Sequence, residues 1–92
     1  MVLFIIKESL SNKNANVMKY IKQDDKVLFI QEGVLILNNK TSKAIEEIKE
    51  KNAEVLALKE DVELRGIKNN AGLKLIDYSG FVDLIEANKV FS

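Results

Sequence analysis

Covalent chemistry at a protein site starts from a nucleophile and a base, and the 92-residue chain contains neither cysteine nor histidine. Disulfides, thiolate catalysis and thiolate metal sites are therefore excluded, and the usual Ser-His and Cys-His pairings cannot be built. A Ser-Lys pair remains formally open, but Ser9, Ser11, Ser42, Ser79 and Ser92 each read more simply as loop, cap or terminus. The carboxylates Glu60, Asp61, Glu63, Asp77 and Asp83 could be paired for acid/base work or gathered around a hard cation. Their spacing argues for helix ends instead, since acidic residues in a first turn satisfy free amides and the helix dipole. Asp61 and Arg65, four apart, form a helix ion pair contributing only about 0.3 to 0.5 kcal/mol.

Gln31-Glu32-Gly33 stands where an apolar run ends, and the crevice outside the carboxyl ends of parallel strands is where ligands or partners are met. Gly33 reads either as a permissive backbone position at a strand-to-helix turn or as part of an interaction surface. One glycine beside an acidic residue, with no lysine and no second glycine in register, does not make a phosphate loop. Val34-Leu35-Ile36-Leu37 and the Tyr78 to Leu84 segment, with Phe81, are more apolar than surface connections require. They belong either to the core or to a subunit interface.

The elements that must position these residues follow from periodicity. Val2 to Ile6 and Val27 to Ile30 are continuous apolar runs, as expected of central strands covered on both faces in a parallel sheet. Glu54 to Leu58 and Leu73 to Ile76 are shorter and more mixed, which suits strands nearer an edge. Between them, Val17, Tyr20 and Ile21, and then Ala44, Ile45 and Ile48, recur at helical spacing. A short third helix carries Glu60 and Asp61 in its first turn, Arg65 in its last and Gly66 just past it. A final helix is predicted to begin at Ser79 as N-cap and to bury Phe81, Leu84 and Ile85. Ser9 to Asn16 and Asn38 to Ser42 read as loops. The expected fold is a single α/β domain over residues 1–92, a three-layer α/β/α sandwich with a four-stranded parallel sheet. The first strand is expected at the centre with the fourth beside it.

Hydrophobic residues make up 47 % of the chain and charged residues 30 %, which excludes a disordered or collagen-like polymer. Fourteen basic and fourteen acidic residues cancel, so no global field attracts nucleic acid or an anionic membrane. Neither the apolar start nor Val27 to Leu37 approaches the roughly 20 residues needed to span a bilayer, and a cytoplasmic location is expected. A chain of this length buries roughly 60 to 65 % of its unfolded surface, leaving modest stability that association would raise.

Three segments carry a family resemblance: Ala57-Leu58-Lys59-Glu60-Asp61-Val62-Glu63-Leu64-Arg65-Gly66-Ile67, then Ile76-Asp77-Tyr78-Ser79-Gly80-Phe81-Val82-Asp83-Leu84, together with Gln31-Glu32-Gly33-Val34. In this order and separation they resemble the TusB/DsrH family. That resemblance implies a DsrE/F/H-like fold and membership of a complex with DsrE-like and DsrF-like sister chains that bear cysteine and pass on persulfide sulfur. The sulfur goes towards 2-thiouridine at the tRNA wobble position, or into dissimilatory sulfur metabolism. Some members carry a cysteine in the first helix, at a position that falls near Val17 here. A tryptophan common near the family's C-terminus is missing, and the chain ends Val90-Phe91-Ser92.

Two functions are thus expected in competition. In the first, the chain is a non-catalytic structural subunit of a sulfur-relay complex with no cofactor and no metal. Its partner interface would be Gln31, Glu32, Gly33, Val34, Lys59, Asp77, Tyr78, Phe81 and Asp83, with Glu32 and Lys59 fixing register. In the second, a free-standing homo-oligomer binds a small ligand in the strand-end crevice. An enzyme using carboxylates alone would need a deep pocket with two facing acids.

Overall fold

The computed structural model describes residues 1–9, 15–39 and 42–91. Ser11, Ser92 and the middles of the two expected loops lie outside the described residues. The elements run β1 (Val2–Ile6), a 3-10 helix (Ala15–Lys19), β2 (Lys26–Phe29) and a second 3-10 helix (Gln31–Asn38). They continue with α1 (Lys43–Glu50), β3 (Glu54–Leu58), α2 (Lys59–Leu64), β4 (Lys74–Ile76), α3 (Tyr78–Ala87) and β5 (Lys89–Phe91).

All five strands are parallel, in the order β4-β3-β2-β1-β5. This corrects three expectations. The sheet has five strands rather than four, because Lys89–Phe91 pairs with the start of β1. The fourth strand lies at an edge beside β3, not beside the first. And β3 is internal: Val55 to Leu58 are all buried between β2 and β4.

Handedness explains where the helices go. From β1 to β4 each strand is laid down on the same side of its predecessor, so right-handed crossovers put every intervening helical segment on one face. The larger core cluster is on that face, where Met18, Val34, Leu37, Ile45, Ile48 and Val62 from four helical segments meet Phe4, Ile6, Val27, Phe29, Val55 and Ala57. The last connection reverses direction, leaping from β4 across the sheet to β5, and the same rule sends α3 to the opposite face. There Phe81 and Leu84 pack against Leu3, Leu28, Ile30, Leu56 and Leu58. The strands alternate between the two clusters residue by residue, as a period of two requires.

α3 covers its face thinly. None of its residues is fully buried, and Ile85, expected inside, is 40 % exposed. Its N-cap is Asp77 rather than Ser79, with the Asp77 carboxylate accepting from the Gly80 amide at 2.8 Å. Ser42 caps α1 by accepting from Ile45 N–H, and Ile45 and Ile48 anchor that helix as its periodicity predicts. Among the described residues of the first crossover the helical part is the 3-10 helix Ala15–Lys19, so Tyr20 falls beyond its end and is exposed.

Candidate functional site

Parallel strands end on the same side, and β2, β3 and β4 are neighbours, so the residues that follow them meet. Gln31, Lys59 and Asp77 stand at adjacent strand ends. Backbone-to-carboxylate hydrogen bonds join them across the sequence. Asp61 Oδ2 accepts from the Gln31 amide at 2.6 Å, linking the start of α2 to the end of β2. Glu60 accepts from the Tyr78 amide at 3.0 Å, linking α2 to the start of α3.

These bonds have a local reason. Gln31 adopts a left-handed backbone with φ 50°, a conformation a non-glycine side chain resists. The turn aims its N–H at Asp61, and the charge-assisted bond holds it. Asp61 keeps its i,i+4 partner Arg65 at 3.5 Å, but its reach to Gln31 goes beyond the helix pair that the spacing predicts.

Gly33 is needed for contact rather than for backbone freedom, which corrects the permissive-turn reading. A Cβ there would lie closer than 3.0 Å to the Ile6 carbonyl oxygen and 3.1 Å from its carbon. The Gly33 amide meanwhile lies 3.2 Å from the Lys7 carbonyl and 2.9 Å from that of Ile30. The second 3-10 helix is thereby seated directly on the end of β1.

The structure separates the expected interface residues into groups. Gln31, Glu32, Lys59, Asp77 and Tyr78 are exposed at the strand ends, with Lys59 pairing to Glu63 at 3.8 Å. Gly33 and Val34 are buried inside the chain's own fold and offer position rather than surface. Phe81 is half-buried on the α3 side and meets Tyr78 edge-on, ring centroids 5.9 Å apart. Asp83 is exposed midway along α3. Glu60 and Asp61 were missed as organisers of the face. Their first-turn positions explained them locally, and nothing in a linear sequence points from Glu60 to an amide eighteen residues away.

Chemically, the face offers carboxylates already engaged by main-chain amides: Glu60, Asp61 and Asp77 each accept from one. Among the described residues, no group of three or more acidic, His or Cys side chains is placed to hold a metal ion. No helix among them is long and apolar enough to cross a membrane.

A parallel five-stranded α/β sheet with a carboxyl-end face organised by its second and third helices defines the class. The chain belongs to the DsrH-like family, whose model matches residues 8–90. It is similar in structure to protein Tm0979 from Thermotoga maritima, solved by NMR in solution. The two share 32 % identity with a TM-score of 0.63, over 95 % of this chain and 93 % of that one. No curated protein matches the sequence.

Proposed function

We propose that this chain is a non-catalytic, architectural subunit of a sulfur-relay complex, meeting cysteine-bearing DsrE-like and DsrF-like chains through its strand-end face. The family supports the sulfur-relay setting. The observation that carries the architectural role is the strand-end face itself. Three of its carboxylates, Asp61, Glu60 and Asp77, fix the main chain at Gln31, Tyr78 and Gly80, and the chain has no thiol or imidazole to carry sulfur. What the face presents outward is Glu32, Lys59 and Tyr78 on a rigid frame.

The mechanism is one of shape. A rigid, water-excluding surface laid against a partner desolvates the partner's persulfide-bearing cysteine, and local charge sets how readily its thiolate forms. Glu32 and Lys59 fix register at the rim, where charge steers more than it binds, and Tyr78 is the aromatic anchor. In the assembly, the chain forms an α/β/α sandwich whose thin α3 layer is thickened by the neighbour. The sulfur is passed towards the wobble uridine of tRNA, which becomes 2-thiouridine, or into a related sulfur pathway of the cytoplasm. Partner chains handle the nucleic acid, since this one has no net positive charge.

The test is a tagged pull-down from the native cell, with light scattering for total mass. Recovery of a cysteine-bearing DsrE-like or DsrF-like chain in fixed ratio, lost on Tyr78→Ala, is the expected result. Recovery of this chain alone, as a defined homo-oligomer, would end the obligate-subunit reading.

A further inference from the structure

At the opposite end of the sheet, the starts of β1 and β5 and the turn before β2 frame a hollow of about 560 Å3. That volume lies within the range of small-molecule sites. Phe4 forms its floor, buried in the core, and Phe91 lies against it with ring centroids 5.4 Å apart. Tyr20 extends the row, 6.3 Å from Phe91. The outer two rings are left uncovered, Tyr20 being 61 % and Phe91 49 % exposed. The planes are tilted, by 55° between Phe4 and Phe91 and by 35° between Tyr20 and Phe91, so a further flat ring can stack on one exposed ring and meet the other at an angle.

Basic and acidic side chains surround the rings. Asp25 lines the hollow but is only 6 % exposed, and its carboxylate is occupied. One oxygen accepts from the Val2 amide at 3.0 Å and the other from the Lys22 amide at 2.9 Å. That bracket fixes the wall of the hollow and removes Asp25 from ligand binding. Two basic residues, Lys22 and Lys89, line the hollow beside two acidic ones, Asp24 and Asp25. Asp25 keeps its charge but is held in the wall by its two amides, whereas the exposed lysines are free to turn towards a ligand.

We propose that this hollow binds a flat aromatic carboxylate, its ring stacked on Tyr20 with Phe91 at its edge and its acid group held by Lys22 and Lys89. The site is independent of the strand-end face, being at the amino rather than the carboxyl ends of the strands. It gives the chain a small-molecule input separate from partner docking.

Naphthoate is the probe, titrated into the intact protein while backbone amide resonances are followed by NMR. Saturable shifts centred on Tyr20 to Asp25 and Lys89 to Phe91 are expected, with a dissociation constant of about 1 mM or below for a ligand this small. Tyr20→Ala, an exposed position, weakens binding about fivefold to tenfold. Lys22→Ala with Lys89→Ala, or replacement of naphthoate by neutral naphthamide, costs about tenfold. Shifts centred on other residues, no saturation, indifference to Tyr20→Ala, or equal binding of naphthylmethylammonium would each overturn the assignment. None of these failures touches the strand-end proposal, whose pull-down reads different residues.

Discussion

Gly33→Ala puts the seating of the second 3-10 helix to the sharpest test. The added methyl would sit closer than 3.0 Å to the Ile6 carbonyl oxygen, where ordinary contacts begin near 3.4 Å. Backbone must therefore move, since the obstacle is main chain and not the tip of a flexible side chain. The same carbonyl accepts from the Ile30 amide at 3.0 Å, and the Gly33 amide reaches the Lys7 carbonyl. Overpacking of this kind costs about 1 to 3 kcal/mol, and a buried hydrogen bond left unmade costs about 1 to 3 kcal/mol more. Gly33 has no left-handed φ, so no conformational strain is added. A total near 4 kcal/mol is a large share of the roughly 5 to 14 kcal/mol expected of a 92-residue domain. Urea unfolding followed by far-UV circular dichroism reads it as a midpoint lowered by about 2 M, for a slope of about 2 kcal/mol per M. Gly66→Ala is the control. Its Cβ would meet open space, but φ is +59°, so it loses only the about 1 to 2 kcal/mol of left-handed strain. A Gly33→Ala midpoint within about 0.5 M of wild type, or a smaller loss than Gly66→Ala, would refute the close-contact argument.

Asp25→Ala removes the acceptor of two amides at a nearly dry site. It should cost about 2 to 4 kcal/mol, seen as a melting temperature lowered by at least about 8 °C; a drop of a degree or two would show that water replaces the carboxylate. Asp61→Ala leaves Gln31 in its left-handed turn with no bond to hold it, at a cost of about 1 to 2 kcal/mol. Gln31→Gly in the same chain should recover part of that loss, and strict additivity of the two in chemical denaturation would count against the coupling. Exchanging the rim charges by Glu32→Lys with Lys59→Glu should slow partner association with little effect on folding, measured by stopped-flow mixing at low and high salt. An unchanged association rate at low salt would remove these residues from the interface.

How far the fold could be read from the sequence depended on how locally each element is specified. Val2 to Ile6 and Val27 to Phe29 announce themselves because burial on both faces demands apolar residues without alternation. The α2 boundaries follow from Glu60, Asp61 and Gly66, since dipole and glycine stop act within one turn. β5 did not announce itself. Lys89-Val90-Phe91 is three residues long with every member exposed, too short for a period of two to register. Strand order failed for a related reason: it is set by where the last crossover lands, and no residue in α3 encodes the leap to the far edge. At the site, Lys59 and Asp77 were placed correctly at strand ends because strands predict their own ends. Val34 was not assigned to the core, since an apolar residue beside a charged pair reads equally as interface. Its burial depends on Gly33 letting the helix settle onto Ile6.

That dependence bears on how the strand-end face is held. The strand-end face is formed by three segments that would otherwise move separately: the second 3-10 helix, α2 and the start of α3. Gly33 seats the first on β1, Asp61 ties it to α2, and Glu60 ties α2 to α3. Such cross-bracing contributes to stability, and it also fixes the relative placement of three exposed segments. Cross-bracing matters when a surface must present a fixed shape, since side chains and loops ordered in advance lose less entropy on docking. The same reasoning applies to α3, which buries Leu3, Leu28 and Leu56 beneath it but leaves Tyr78, Val82 and Ile85 outward and none of its own residues fully buried. A helix so lightly packed on its own sheet is poised to gain from a neighbour, and its first turn is held to the braced face by the Tyr78 amide. The bracing at the strand ends and the outward apolar residues of α3 thus adjoin one another through Tyr78, the arrangement that the proposed architectural role requires.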